Sequence, residues 1–322
     1  MKAIVYRRYG SPDVLELKEI DTPVPADDQV LIKVHAASVN PVDWHRMRGE
    51  PSFIRASEGL GKPKNTGLGA DVAGRVEAVG RDVTQVQPGD EVLGMGIRTL
   101  AEYVVVSGEG VVQMPAKLTF EEAAAVPVAA LTALQGLRDK GGVQPGQKVL
   151  INGAAGGVGT FAVQLAKSFG AEVTGVCSTR NVELVRSIGA DHVVDYTQED
   201  FTRSGQRYDV ILDAVCNHSL SAVRRVLQPR GTLVLVGAAK GRSGGKPMLF
   251  VLRAVLLRRF LSQTVALYMA TRTRDDLLLL TELIEAGKVT PVIDRSYPLS
   301  KVPEAIRYLE AGHAQGKVVI TV

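Results

Sequence analysis

The sequence has 322 residues, room for two domains at the usual size of about 100–200 residues each. Hydrophobic residues make up 45% and charged residues 22%, and the formal net charge is +4 with no long basic block, so the chain reads as globular and a nucleic-acid-binding footprint is excluded. Cys177 and Cys216 provide neither a disulfide framework nor a thiolate zinc site, and the most apolar stretch, 248–261, is interrupted by Arg253, Arg258 and Arg259 and is too short to span a bilayer.

The chain starts directly in strand-like sequence without a signal-peptide pattern, so a cytoplasmic location is expected. Residues 1–120 read as short strands, among them 30–34, 75–79, 103–106 and 111–114, divided throughout by glycine and proline. Pro88-Gly89 ahead of Asp90-Glu91-Val92 reads as a type II turn feeding a strand: proline sets φ and glycine takes the positive value. The pattern predicts a β-rich, barrel-like domain. Within it, 48–66 carries Pro51, Gly59, Gly61 and Pro63 and is long for an unstructured connection. It reads either as a mobile lid over a substrate or as a disordered insertion.

The texture changes at residue 120. Residues 120–137 are rich in Ala and Leu, with Glu121 and Glu122 near the start, and predict one helix. After a second Pro-Gly turn at 145–146, strands at 149–151, 172–177, 192–194, 210–212 and 233–236 alternate with helices at 160–169, 182–188 and 220–227. Gly170, Gly189 and Gly231 fall at or beyond the helix ends, where left-handed caps are expected. Near-continuous apolar strands separated by helices predict a parallel, doubly wound sheet covered on both faces. Segment 248–261 reads as a buried or subunit-facing helix, with an interfacial membrane helix as the alternative. Residues 263–269 are strand-like, 275–286 predicts a helix ending at Gly287, and a helix at 302–311 precedes a strand at 317–322.

The strongest local signal is Asn152-Gly153-Ala154-Ala155-Gly156-Gly157-Val158-Gly159, between a strand and a helix. In the dinucleotide-binding pattern one glycine admits the pyrophosphate to the backbone and another permits close helix–strand packing; Gly156 and Gly159 fill those places, and Ala154 replaces the first glycine. Free N–H groups at the helix start then face the anion. The next strand ends in Cys177-Ser178-Thr179-Arg180-Asn181, without the carboxylate that binds a ribose 2′-hydroxyl. Ser178 can donate a hydrogen bond and Arg180 can supply charge to a 2′-phosphate, which predicts NADPH; otherwise Arg180 is a solvated helix-start residue.

With the run Gly69-Ala70-Asp71-Val72-Ala73-Gly74-Arg75-Val76-Glu77-Ala78-Val79-Gly80, the glycine turn and Gly189-Ala190-Asp191 in this order, the chain resembles the quinone oxidoreductase branch of the medium-chain dehydrogenase/reductases over essentially its whole length. The resemblance implies an α/β protein: a GroES-like β-barrel catalytic domain from 1–122 with 271–322, and a Rossmann doubly wound domain at 123–270. The alcohol dehydrogenase branch starts the same run with Gly-His-Glu, where this chain has Gly69, Ala70 and Asp71; the place of its first zinc-binding cysteine falls near Asn40, and no cysteine precedes Cys177. A site short of two such ligands predicts no metal.

Without a Lewis acid, conjugated acceptors are favoured, since the charge of an added hydride spreads through the conjugated system to oxygen. The resemblance puts the catalytic loop at 40–45. There Asn40 can donate to a substrate oxygen or cofactor ribose, or simply build a turn before Pro41. Asp43 can hold the loop or relay a proton, and His45 can protonate the product or be a surface histidine. Trp44 reads as packing. The resemblance also puts Thr132 and Gly237 near the nicotinamide, Tyr196 near the adenosine phosphate and Lys317 near the cleft, to join Ala155, Gly156, Gly157, Val158, Gly159, Ser178 and Arg180 as cofactor-binding residues. The expected activity is NADPH-dependent reduction of quinones or α,β-unsaturated carbonyls by a homodimer; the alternatives are an enoyl-thioester reductase and a nucleotide-binding protein with little catalysis.

Overall fold

The computed structural model describes residues 1–236 and 262–322. Gly237 and the apolar segment 248–261 lie outside the described residues. The chain divides into two compact units, one of Met1–Val128, Arg272–Ala286 and Pro291–Val322, the other of Ala129–Thr271 and Gly287–Thr290. The first division falls after Val128, inside the Ala/Leu-rich segment, where the sequence suggested 122.

In chain order the first unit holds β1 (Lys2–Val5), β2 (Glu16–Glu19), β3 (Gln29–Val39), the helices α1 (Pro41–Arg48) and α2 (Phe53–Glu58), then β4 (Asp71–Val79), β5 (Glu91–Met95), β6 (Tyr103–Ser107), β7 (Val111–Gln113) and α3 (Phe120–Ala124). Next comes α4 (Pro127–Gln135), followed by a π-helical turn, Gly136–Gly141. The expected single helix over 120–137 is therefore two, because Pro127 has no N–H to give the turn before it and starts a new helix instead.

The second unit continues with β8 (Lys148–Asn152), α5 (Gly157–Ser168), β9 (Glu172–Cys177), α6 (Val182–Ser187), β10 (His192–Asp195), β11 (Tyr208–Asp213), α7 (Leu220–Arg225), β12 (Leu227–Leu235) and β13 (Thr264–Leu267). The chain then returns to the first unit through α8 (Arg274–Glu285), β14 (Ile293–Pro298), α9 (Val302–Glu310) and β15 (Lys317–Thr321).

Among the described residues, the second unit's sheet has the order β10-β9-β8-β11-β12-β13, and every neighbouring pair is parallel. Its central strands are apolar on both sides: Val149, Leu150 and Ile151 are all buried, as a sheet flanked by helices requires. Gly170 and Gly189 take the positive φ expected of caps, 80° and 103°. Gly231 does not cap a helix; it lies within β12, where a Cβ would stand 2.9 Å from the Asp209 carbonyl oxygen.

The first unit's main sheet has the order β14-β15-β3-β4-β5-β7, with β6 also on β3. It is antiparallel except for β14 on β15. Its core gathers Ile32, Val39, Trp44, Met47, Val72, Ile306 and Val318, so residues from the first and last sequence segments of the unit share one apolar interior.

Segment 48–66, expected as a long connection, contains α2 and is tied to its surroundings. The Tyr9 hydroxyl donates to the Gly59 carbonyl at 2.6 Å, the Arg55 guanidinium lies 4.9 Å from the centre of the Tyr9 ring, and Arg46 pairs with Glu58 at 3.1 Å.

Candidate active site

In the first unit, three strand ends meet. β3 runs out through Ser38 and Val39 into Asn40, β4 starts at Asp71 opposite Ser38, and β15 starts at Lys317, with Val318 opposite Val39. Sheet register thus brings together side chains far apart in the sequence. Asp71 Oδ2 accepts from the Ser38 hydroxyl, from Asn40 Nδ2 at 2.8 Å and from Lys317 Nζ at 3.1 Å, while Oδ1 accepts from the Val128 N–H at 2.7 Å. Lys317 Nζ also donates to Asn40 Oδ1 at 2.6 Å. The lysine is 3% exposed and the aspartate fully buried. Such a pair persists in low dielectric only when further donors complete the carboxylate, as they do here.

This network fixes the Asn40 amide. The ammonium reads its oxygen and the carboxylate reads its nitrogen, so a flipped amide would face donor with donor and acceptor with acceptor. One Nδ2 hydrogen goes to Asp71, which leaves the other for a further acceptor. Lys317, expected near the cleft as a cofactor-binding residue, donates from Nζ to Asn40 and Asp71.

Asp43 occupies the third position of α1, which Pro41 opens. Its Oδ2 accepts from the Asn40 N–H at 2.7 Å and its Oδ1 from the Gly69 N–H at 3.0 Å. Burial pushes the carboxyl up to about 6, against the pull of these two hydrogen bonds. Gly69 has φ 98°, and a Cβ there would stand 2.3 Å from Thr99 Oγ1, so only glycine brings this N–H to the carboxylate. His45 lies on the same helix. Its Nδ1 is 2.7 Å from the Glu50 carbonyl oxygen, beyond the opposite helix end from Asn40, and its ring packs on Trp44 with centroids 3.6 Å apart. Trp44 is buried in the core.

In the second unit the glycine turn joins β8 to α5. Gly153 takes φ 88°, and both Gly153 and Ala154 donate their N–H to the Val176 carbonyl, at 3.2 and 3.0 Å. The turn's tight start thus belongs to Gly153, and Ala154, where the pattern has glycine, is fully buried. Gly159 allows the close packing: a Cβ there would stand 2.0 Å from the Gly153 carbonyl oxygen. At Gly156 a Cβ would make only an ordinary contact, 3.5 Å from the Gly153 carbonyl oxygen, so the fold itself does not require glycine there. No side chain caps α5, whose first turn starts at Gly157-Val158, all half-buried with Gly156, while Ala155 is buried. A helix start of this kind suits a phosphate.

At the end of β9, the Ser178 hydroxyl oxygen accepts from Asn181 Nδ2 at 3.2 Å, and Arg180 is exposed on the short turn Thr179–Asn181. Tyr196, 57% exposed, donates its N–H to the Cys177 carbonyl at 2.9 Å, which brings it to the same strand end. Sequence reasoning passed over Asp195, which ends β10 beside them. Its carboxylate accepts from the Thr179 hydroxyl at 2.6 Å and from Thr197, bonds that hold it below the usual carboxylate range. Thr132 lies on α4, and its carbonyl accepts from the Tyr268 hydroxyl. Ser38 and Asp71 were also missed as site residues; the signal available for Asp71 was its place in the Gly-x-Asp run.

Residues 26–116 match the family model described as alcohol dehydrogenase GroES-like domain, and residues 188–320 match zinc-binding dehydrogenase. The 2-methylene-furan-3-one reductase of Solanum lycopersicum is 40% identical over 99% of this chain and 79% of its own length. The chain belongs to the medium-chain dehydrogenase/reductase superfamily. Another member, the NADPH-dependent alkenal/one oxidoreductase, chloroplastic, of Arabidopsis thaliana, is 36% identical over 99% of this chain and 79% of its own length. Among solved members, the quinone oxidoreductase from Coxiella burnetii superposes with a TM-score of 0.86 at 32% identity, covering 100% of this chain and 99% of that one. As in other medium-chain dehydrogenase/reductases, a GroES-like unit and a parallel-sheet nucleotide unit make up this α/β chain. No helix of the described residues is long and apolar enough to cross a membrane.

Proposed function

We propose that this chain reduces quinones or α,β-unsaturated carbonyls by hydride transfer from NADPH, without zinc. The observation that carries the proposal is the buried Lys317 ammonium, held by Asp71 and Asn40 beside Ala70, Asn40 and Ala70 being the positions where the resemblance to alcohol dehydrogenases leads one to expect zinc-binding cysteine and histidine. A divalent cation sharing that carboxylate would face the ammonium at close range, and Asn40 and Ala70 offer neither thiolate nor imidazole. These residues do not fit a zinc ion, and among the described residues no group of three or more His, Cys, Asp or Glu side chains could hold one.

The bound nicotinamide supplies the hydride. Its pyrophosphate fits the uncapped start of α5, where the fold itself does not require Gly156. Ser178, Arg180 and Tyr196 follow the ends of β9 and β10, and the Arg180 charge suits a 2′-phosphate, with the neighbouring Asp195 carboxylate engaged by Thr179 and Thr197; this supports NADPH over NADH. In the first unit, the spare N–H of Asn40 is the donor for oxygen of a conjugated acceptor as negative charge moves onto it. Lys317 strengthens that donor by withdrawing electron density through the amide oxygen. Asp43 fixes the loop by holding the Asn40 and Gly69 N–H groups.

The chain is further proposed to be a homodimer of the cytoplasm. β13 pairs only with β12 among the described residues, and Leu267 and Met269 beside that edge are 54% and 84% exposed. An edge with exposed apolar residues suits pairing with a second copy. Neither Cys177 nor Cys216 forms a disulfide, which fits a reducing compartment.

The test is a turnover screen of a simple quinone and a simple enone with NADPH and NADH, with metal analysis of the purified protein and sedimentation of the native species. NADPH-dependent turnover by a metal-free dimer is expected. Turnover that requires zinc, or a clear preference for NADH, overturns the corresponding part of the proposal.

A further inference from the structure

The order β10-β9-β8-β11-β12-β13 grows outward in both directions from the β8/β11 pair. That pair is the topological switch point, where a parallel sheet of this type opens a crevice beyond the carboxyl ends of its strands. The two strands end there on Asn152 and Asp213, which stand opposite each other in register.

Asp213 is 1% exposed. Its Oδ1 collects three donors: Asn152 Nδ2 at 2.8 Å, the Val215 N–H at 3.0 Å and the Cys216 N–H at 2.7 Å. The Asn152 amide also donates to Asn217 Oδ1 at 3.1 Å. Asp213 Oδ2 is buried with no protein donor. Burying a half-matched carboxylate costs stability, and such groups in native proteins concentrate where function requires them.

The three bonds fold segment 213–217 back on itself. Cys216 is held at φ 54°, a left-handed value that non-glycine residues seldom adopt. Val215 is thereby pressed against the glycine turn: a Cβ on Gly153 would stand 2.7 Å from Val215 Cγ2. The backbone adds a rung, from the Ala214 N–H to the Asn152 carbonyl at 3.1 Å.

We infer that Asp213 is a positioning residue that clamps the 214–217 turn to the glycine turn and so sets the width of the switch-point crevice for the dinucleotide. The inference rests on the reading of residues 156–159 as the nucleotide cradle. Asp213 acts through its neighbours: it holds Asn152 at the root of the glycine turn and Val215 on its flank.

The experiment compares Asp213→Asn and Asn152→Ala with Val223→Ala, a buried core residue of α7 in the same unit. Each intact variant is titrated with NADPH by fluorescence, its thermal midpoint is recorded, and KM for NADPH and kcat are measured with a quinone. Loss of charge-assisted bonds in the clamp is expected to weaken NADPH binding about tenfold and raise its KM, with kcat at saturation kept within about twofold. Val223→Ala is expected to lower the midpoint while leaving Kd unchanged. The inference is overturned if the clamp variants weaken binding no more than Val223→Ala does. Should Asp213→Asn fail to fold, Asn152→Ala keeps the carboxylate's bonds to Val215 and Cys216, and unaltered NADPH affinity in that variant is equally fatal. A wild-type protein that binds neither NADPH nor NADH sinks the cradle and the clamp together; one that binds NADPH as well with the clamp broken sinks the clamp alone.

Discussion

Replacing Lys317 with Met keeps most of the length of the side chain and removes its charge. Asp71 would then be a buried anion without its cation, although Ser38, Asn40 and the Val128 N–H would still donate to it. Removing one partner of a buried pair costs about 3–5 kcal/mol, and the three remaining donors put this case near the lower end, about 3 kcal/mol. Asn40 Oδ1 would lose its partner as well, which frees the amide to rotate and leaves its second N–H unpolarised. Losing even about 1.4 kcal/mol of transition-state stabilisation from that donor lowers kcat about tenfold. Urea unfolding and steady-state turnover of Lys317→Met, Asp71→Asn and the double variant separate the two roles. The double variant, with no unpaired charge, is expected to recover much of the stability, a coupling of about 2 kcal/mol, without recovering kcat. A single variant that loses less than about 1 kcal/mol and turns over normally would refute the account of Lys317 as the paired cation that orients Asn40.

Arg180→Ala should raise the KM for NADPH about tenfold and leave that for NADH nearly unchanged, because only the former carries a 2′-phosphate; equal effects on both would remove Arg180 from the cofactor reading. Gly159→Ala should cost about 1–3 kcal/mol and abolish dinucleotide binding, since its Cβ would lie 2.0 Å from a backbone oxygen, whereas Gly156→Ala, with 3.5 Å of clearance, should fold normally and weaken binding alone. Equal midpoints for the two variants in thermal melts would contradict this division. Asp43 titrates near 6 in the folded chain, above its ordinary 3.8, so its contribution to stability is greatest at low pH and is lost as the pH rises through 6. The unfolding free energy of the wild type, relative to Asp43→Ser, should therefore rise by about 1 kcal/mol from pH 7 to pH 5; a difference that stays flat would show that Asp43 is not the buried acid described.

The glycine turn and the parallel sheet were readable because their signals are local. Gly156 and Gly159 lie within one turn, and strands such as 149–151 carry their burial in every residue. Pro127 was also a visible local break, and the Ala-rich run around it outweighed it in the reading of 120–137. Gly231 looked like a cap because it follows α7 so closely; its place inside β12 depends on packing against β11. The Asn40 network was only half legible. Asn40, Asp43 and Lys317 were singled out through family resemblance, but their meeting with Ser38 and Asp71 depends on β15 pairing with β3, a contact between distant segments that no periodicity encodes. Asp213 gave a fainter sign, a single aspartate closing an apolar strand, and its three donors exist only once the turn after it has folded back.

Asp71 and Lys317 are separated by 246 positions. At synthesis rates of about 5–20 residues per second, the carboxylate waits roughly 12–50 s for its cation, and the whole parallel-sheet unit emerges in the interval. A ribosome-bound chain that has reached α8 therefore already contains every strand described for the parallel sheet, while the first unit still lacks β14 and β15. In that nascent chain Asp71 lacks the Lys317 ammonium and the Asn40 Oδ1 lacks the donor that holds it, so the parallel sheet is synthesised before the Asn40 network can close.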